Sequence, residues 1–133
     1  MSTGRVARRL IELCRAGQFD RAVDELYADN ARSIEPDGAL GAQGLPAIRR
    51  KAKAFQDEWL AVHSVLVSDP LIAGPFFTIA LGLDATQKDG RRRALNEVCL
   101  YEVRDGKIVR EQFFHGLTAP QAATEAAAPM EHA

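Results

Sequence analysis

The sequence predicts an α+β domain, with a mostly antiparallel sheet and helices from the first half of the chain folded over one of its faces. Three observations lead there. Apolar residues recur at helical spacing through most of the first 62 positions. From His63 onward the pattern is that of strands. Two Asp-Gly pairs, Asp89-Gly90 and Asp105-Gly106, punctuate the strand region as hairpin turns do.

Ser2 or Thr3 is placed to cap a first helix running to about Ala16, with Val6, Leu10, Leu13 and Cys14 on one face and Gly17 ending it. A second, short helix presents Phe19, Val23, Leu26 and Tyr27. The period then changes. ARSIEP reads as a short strand ended by Pro36 and the glycine-rich segment DGALGAQG. Pro46 suits the first turn of a third helix, where its missing N–H is not needed, and Ile48, Ala52, Phe55, Trp59 and Val62 form the apolar stripe of that helix. Four strands follow: HSVLV, FFTIALGLDAT, RALNEVCLYEV and KIVREQFFH. One domain is expected over residues 1–116, and residues 117–133 read as an Ala-rich tail without chemistry.

Composition narrows the function classes. The chain has 133 residues, 47% of them hydrophobic, which suits one domain with one core. A net charge of -1, from 17 basic and 18 acidic side chains, gives no reason to expect nucleic acid or an anionic membrane as partner. Arg49-Arg50-Lys51 and Arg91-Arg92-Arg93 are short, lie among acids and lack interleaved aromatic residues, so both read as solvated surface. MSTGRVARRL has no apolar run behind its arginines, which argues against a signal peptide, and no apolar stretch approaches the roughly 20 residues of a membrane span. Cys14 and Cys99 read as free thiols buried in a cytoplasmic protein. No Gly-x-Ser-x-Gly elbow and no glycine-rich phosphate loop is present. Neighbouring apolar pairs of opposite facing, Phe76 with Phe77 and Leu100 with Tyr101, give the sheet two apolar faces, and a homodimer is expected to cover the second.

Three segments carry a family resemblance: YADNARSIEP, GLPAIRRK and NEVCLYEVRDGKIVREQFF. In their order the stretch from about Val6 to His115 resembles the SnoaL-like, ketosteroid-isomerase-like branch of the nuclear-transport-factor-2-like (NTF2-like) superfamily. That resemblance implies a cone, in which a curved sheet and the N-terminal helices enclose one pocket. The superfamily includes isomerases, cyclases, dehydratases, hydrolases and non-catalytic binding domains, so fold alone does not select an activity. By similarity to ketosteroid isomerase, Glu35 before Pro36 matches the general base. The oxyanion-binding tyrosine of that enzyme falls near Leu10, which cannot donate a hydrogen bond, and its protonated aspartate falls close to Asn96, Glu97 and Val98. Steroid isomerisation is therefore not expected.

The expected site has Glu35, Glu97, Glu111, His63 and His115 as catalytic candidates, with Tyr27, Phe55, Trp59, Tyr101 and Phe113 as substrate-binding residues. A carboxyl in an apolar cavity loses solvation as the anion, and its pKa rises towards neutrality. For the last hairpin, a three-residue loop at Arg104–Gly106 pairs Glu97 with Phe113, Cys99 with Glu111 and Tyr101 with Val109. A two-residue turn at Asp105-Gly106 instead pairs Arg104 with Lys107 and sets Val98 opposite Phe113. The first register is preferred, because it agrees with the acidic residue and tyrosine that similar SnoaL-like proteins carry there. Glu111, Phe113 and His115 share a face in both. No His-x-x-x-His or Glu-x-x-His spacing calls for a metal, and no cofactor is expected. Asp84 and Thr86 read as hairpin-fixing residues, and His132 as irrelevant. The expected protein is thus a cofactor-free isomerase or cyclase-like enzyme acting by carboxylate proton transfer on a small apolar carbonyl compound. A non-catalytic ligand-binding domain and a dimeric association domain are the alternatives.

Overall fold

Ser2 accepts a hydrogen bond from the Arg5 amide at 3.2 Å and so caps α1 (Thr3–Arg15). Gly17, at φ 73°, ends that helix with its amide on the Cys14 carbonyl. The computed structural model describes residues 1–118. After α1 come α2 (Phe19–Leu26), β1 (Tyr27–Ile34), β2 (Leu40–Gln43), α3 (Leu45–Asp57), β3 (Trp59–Val67), β4 (Leu71–Ala73), β5 (Phe76–Gln87), β6 (Arg92–Arg104) and β7 (Lys107–Thr118). Pro46 stands in the first turn of α3, as its lack of an N–H predicts. The last strand runs two residues past the expected domain end. The rest of the expected tail, and His132 with it, lies outside the described residues.

The sheet runs in the order β2-β1-β7-β6-β5-β3, and β4 adds to β5. Every pairing is antiparallel except that of β1 with β7. The result is a large, curved, unclosed sheet with three helices over its inner face, an α+β cone. Leu10, Ile11 and Leu13 of α1, Leu26 of α2 and Phe77, Ile79, Leu81 and Leu83 of β5 are buried in one hydrophobic core. Cys14 and Cys99 are both buried and unpaired.

Two expectations need correction. Trp59 and Val62 belong to β3 and not to α3, which stops at Asp57. Their spacing from Phe55 suits a helix, but WLAVHSVLV is also a strand former, and pairing with β5 from Trp59 opposite Gln87 decides the matter.

The register of the last hairpin also differs. Asp105 (φ 52°) and Gly106 (φ 75°) are the two central residues of a two-residue turn, so Arg104 pairs with Lys107. A bulge then falls between Glu102 and Val103, and beyond it Tyr101 pairs with Glu111, Cys99 with Phe113 and Glu97 with His115. The pairs expected from a three-residue loop do not form. The facing survives because the turn and the bulge each shift the ladder by one residue, and two such shifts restore the original side. Val98, 49% exposed, lies on the outer face, and Glu97 lines the cavity.

Candidate functional site

Between the helices and the inner sheet face lies a cavity of about 430 Å³, a size suited to one small organic molecule. Leu10, Phe19, Val23, Ile48, Phe55 and Trp59 wall it from the helices and the start of β3, and Leu81, Leu95, Tyr101 and Phe113 from the sheet. Into this apolar space project Glu35, Lys51, Glu97, Glu111 and His115. The strand period explains three of them: Glu97 on β6 and Glu111 and His115 on β7 share the inward face with Tyr101 and Phe113.

Glu111 is only 4% exposed and is held at both oxygens. The Tyr27 hydroxyl donates to Oε1, and the Ser33 hydroxyl donates to Oε2 at 2.6 Å. Burial pushes this carboxyl above its ordinary value, while the Ser33 and Tyr27 hydrogen bonds pull the other way. Burial also pushes the Tyr27 phenol well up, which keeps it a donor. Glu97 has fewer partners. Its carboxyl is pushed up to about 7, first by burial and further by repulsion from Glu111, with only the Cys99 thiol at 3.6 Å and Lys51 opposing the rise. A carboxyl balanced at that point exchanges its proton readily at neutral pH.

Glu35 is placed differently from the sequence expectation. It lines the cavity, but its side chain is 42% exposed and is paired with the Lys51 ammonium at 3.1 Å. Phe55 and Trp59 do not shut it from water. Gly41 of β2 leaves room for its carboxylate, which a Cβ there would strike. Ordinary turn bonds fix its backbone, its amide on the Ala39 carbonyl and its carbonyl accepting from Gly38.

His63 does not reach the cavity. It is the extra residue of a bulge in β3, between Val62 and Ser64, and its Nε2 meets the Thr86 hydroxyl at 2.7 Å. The neighbouring Asp84 takes two hydrogen bonds from Arg92, at 2.9 and 2.7 Å, and braces the β5–β6 hairpin. His115 does line the cavity, at its exposed edge and opposite Glu97. Tyr27, Phe55, Trp59, Tyr101 and Phe113 all line the wall. Tyr101 stacks on Phe77 and meets Phe113 edge-on. Among the described residues, the Trp59 indole N–H is the buried side-chain donor without a partner.

Lys51, Ser33 and Glu58 belong to the site without standing out as candidates in the sequence. The run Arg49-Arg50-Lys51 predicts solvated surface, yet Lys51 follows Ile48 by three positions and precedes Phe55 by four, on the apolar stripe of α3. Its ammonium donates to Ser33 Oγ at 2.8 Å and lies 5.9 Å from the centre of the Phe113 ring. Ser33, 0% exposed, alternates with buried Ala31 on the inward face of β1. Helical spacing from Ile48 and strand alternation from Ala31 were the signals that would have found Lys51 and Ser33. Among the described residues, no three His, Cys, Asp or Glu side chains converge as a metal site, and no helix is long and apolar enough to cross a membrane.

A family model described as a SnoaL-like domain matches residues 1–115. Among solved structures, a Mesorhizobium loti protein assigned provisionally as a SnoaL-like polyketide cyclase, with carbohydrate phosphatase as a second label, is 31% identical. The match covers 86% of this chain and 99% of that one, with a TM-score of 0.76. A Streptomyces antibioticus protein assigned provisionally as a polyketide cyclase is 15% identical over 96% of this chain and 99% of its own, at a TM-score of 0.69. A Kribbella flavida protein assigned provisionally as a ketosteroid isomerase is 22% identical over 86% and 77%, at a TM-score of 0.64. At these last two identities the likeness is one of fold. No curated protein matches the sequence significantly.

Proposed function

The chain belongs to the SnoaL-like domain family, and from that premise we propose that it is a cofactor-independent enzyme of the isomerase or cyclase type, moving a proton on a small, mostly apolar carbonyl compound. The observation that carries this reading is Glu97, a partly buried carboxyl balanced near pH 7 on the wall of an apolar cavity. Its anion takes a proton from the carbon beside the carbonyl. The C–H bond breaks, its electron pair moves onto the carbonyl oxygen, and an enolate results. Where the enolate is conjugated with a carbon–carbon double bond, return of the proton at the far carbon completes an isomerisation; attack of the enolate carbon on a second carbonyl, with the Glu97 proton passing to the alkoxide so formed, completes a ring closure. Glu111, tied down by two hydroxyls, orients the ligand and raises the basicity of Glu97, and His115 at the cavity edge passes protons to water. Glu35, half-exposed and ion-paired, is assigned to the mouth of the cavity rather than to the proton transfer.

Apolar ketones with acidic α-hydrogens, incubated with the protein in D2O, are the test. Loss of the α-proton NMR signal is expected with the wild-type protein. Glu97→Gln should slow it about a hundredfold or more while leaving ketone binding in place. Binding without exchange across the panel would select the non-catalytic ligand-binding alternative.

The working unit is proposed to be a cytoplasmic homodimer formed through the outer sheet face. Leu66, Phe76, Val98 and Phe114 are each at least 40% exposed, and Val98 and Phe114 pair directly across β6 and β7. Sedimentation should give twice the chain mass at micromolar concentration, and Val98→Lys should give the monomer.

A further inference from the structure

We propose that Lys51 is the anion-binding residue of the cavity, and that the ligand it takes is an apolar molecule bearing one weakly acidic oxygen, an enol or a phenol. This rests on the acid–base reading of the same pocket and names its substrate class.

Among the described residues lining the cavity, Lys51 is the one lysine or arginine, against Glu35, Glu58, Glu97 and Glu111. A negative oxygen forming inside meets no other permanent cation among them. The ammonium is held in place from the protein side. Ser33 is 0% exposed and its hydroxyl proton is given to Glu111, so its oxygen is left to accept from Lys51. Glu35 accepts a second N–H at 3.1 Å. A lysine ammonium has three donors. With two engaged, the third remains for a molecule in the cavity, beside the Phe113 ring that Lys51 overhangs.

The same surroundings select the kind of acid. A permanent anion such as a carboxylate enters as a charge, loses its hydration, and meets four glutamates around one ammonium. An enol or phenol enters neutral and develops charge only where Lys51 receives it. The apolar walls from Ile48, Phe55, Leu81 and Leu95 suit the carbon body of such a ligand.

The probe is 2-naphthol, which undergoes no turnover and whose absorbance reports its own ionisation. Bound to the wild-type protein, it should ionise at lower pH than in water, with naphtholate enriched at least about tenfold at a given pH. Lys51→Met should abolish that shift, and Lys51→Arg should keep it. The neutral 2-methylnaphthalene should bind the wild-type protein and Lys51→Met alike, which shows that the cavity is intact, and 2-naphthoate should bind more weakly than 2-naphthol. Should Lys51→Met fail to fold, the wild-type titration decides by itself. Ionisation of bound naphthol at or above the pH found in water overturns the proposal, as does a shift that persists in Lys51→Met, tighter binding of the carboxylate, or no naphthol binding at all. Since naphthol is not converted, a Lys51-dependent shift stands even where Glu97→Gln leaves ketone exchange unchanged, so the two readings fail separately.

Discussion

At the mouth of the cavity Glu35 meets a lysine and water, whereas on the sheet wall Glu97 and Glu111 meet hydroxyls, a thiol and apolar side chains. All three are glutamates lining one space of about 430 Å³. On the wall, desolvation is the leading influence, and both carboxyls rise above their ordinary value. At the mouth, solvent reaches 42% of the Glu35 side chain and a cation satisfies it directly. Position relative to water therefore divides one residue type into a buried acceptor of two hydroxyls, a carboxyl raised toward neutrality and a rim ion pair. Neighbours along the chain do not make that division.

The largest effect expected from this contrast is at Glu111. Glu111→Ala removes the acceptor of two buried hydroxyls, Tyr27 and Ser33, and each unpaired group costs roughly 1–3 kcal/mol. Urea denaturation should show a loss of about 2–4 kcal/mol, and Glu111→Gln a smaller one, since its amide oxygen still accepts. A loss under about 1 kcal/mol for the alanine variant would erase the distinction between wall and mouth.

Next comes pH. The folded-state value for Glu97, about 7, lies above the ordinary 4.5, so the folded protein binds more protons than the unfolded chain between those values. Its contribution to stability is complete below about pH 4.5 and is lost as pH rises through 7. Glu111 acts in the same direction. Glu25 and Asp84, held below their ordinary values by arginines, act in the opposite direction but in a more acidic window. Denaturation at pH 5 and pH 8 should therefore differ by on the order of 2–3 kcal/mol in favour of pH 5. Glu97→Gln should remove most of that difference.

The smallest effect is expected at Glu35. A half-exposed ion pair contributes less than about 1 kcal/mol, so Glu35→Gln should barely move the denaturation midpoint. It should also slow α-proton exchange less than about tenfold. A hundredfold fall would return the base role to Glu35, the position matched by similarity to ketosteroid isomerase.

Much of the architecture could be read along the chain because local signals there agree with the tertiary outcome. Ser2 and Gly17 bound α1, Pro46 opens α3, and Asp105-Gly106 turns the last hairpin. The unforeseen elements β2 and β4 have four and three residues, too few to show a period, and one of them lies within a glycine-rich stretch. Trp59 satisfied the helical and the strand pattern equally, and only a partner strand resolved it.

Side-chain alternation alone placed Glu111, Phe113 and His115 on one face, because local period is a property of the backbone, whereas Glu97 and Tyr101 reached the same side through the family resemblance and the wrong turn. Which pairs face one another depended on a bulge at the end of β6 that leaves no mark in composition. His63 left the site through a similar bulge, and Lys51 entered it because α3 lies across β1 with Ser33 beneath. Secondary structure and family were legible in the sequence, since they follow from short-range pattern. Charge, protonation and reach into the cavity were decided by the tertiary structure, since they depend on which distant atoms exclude water from each carboxyl.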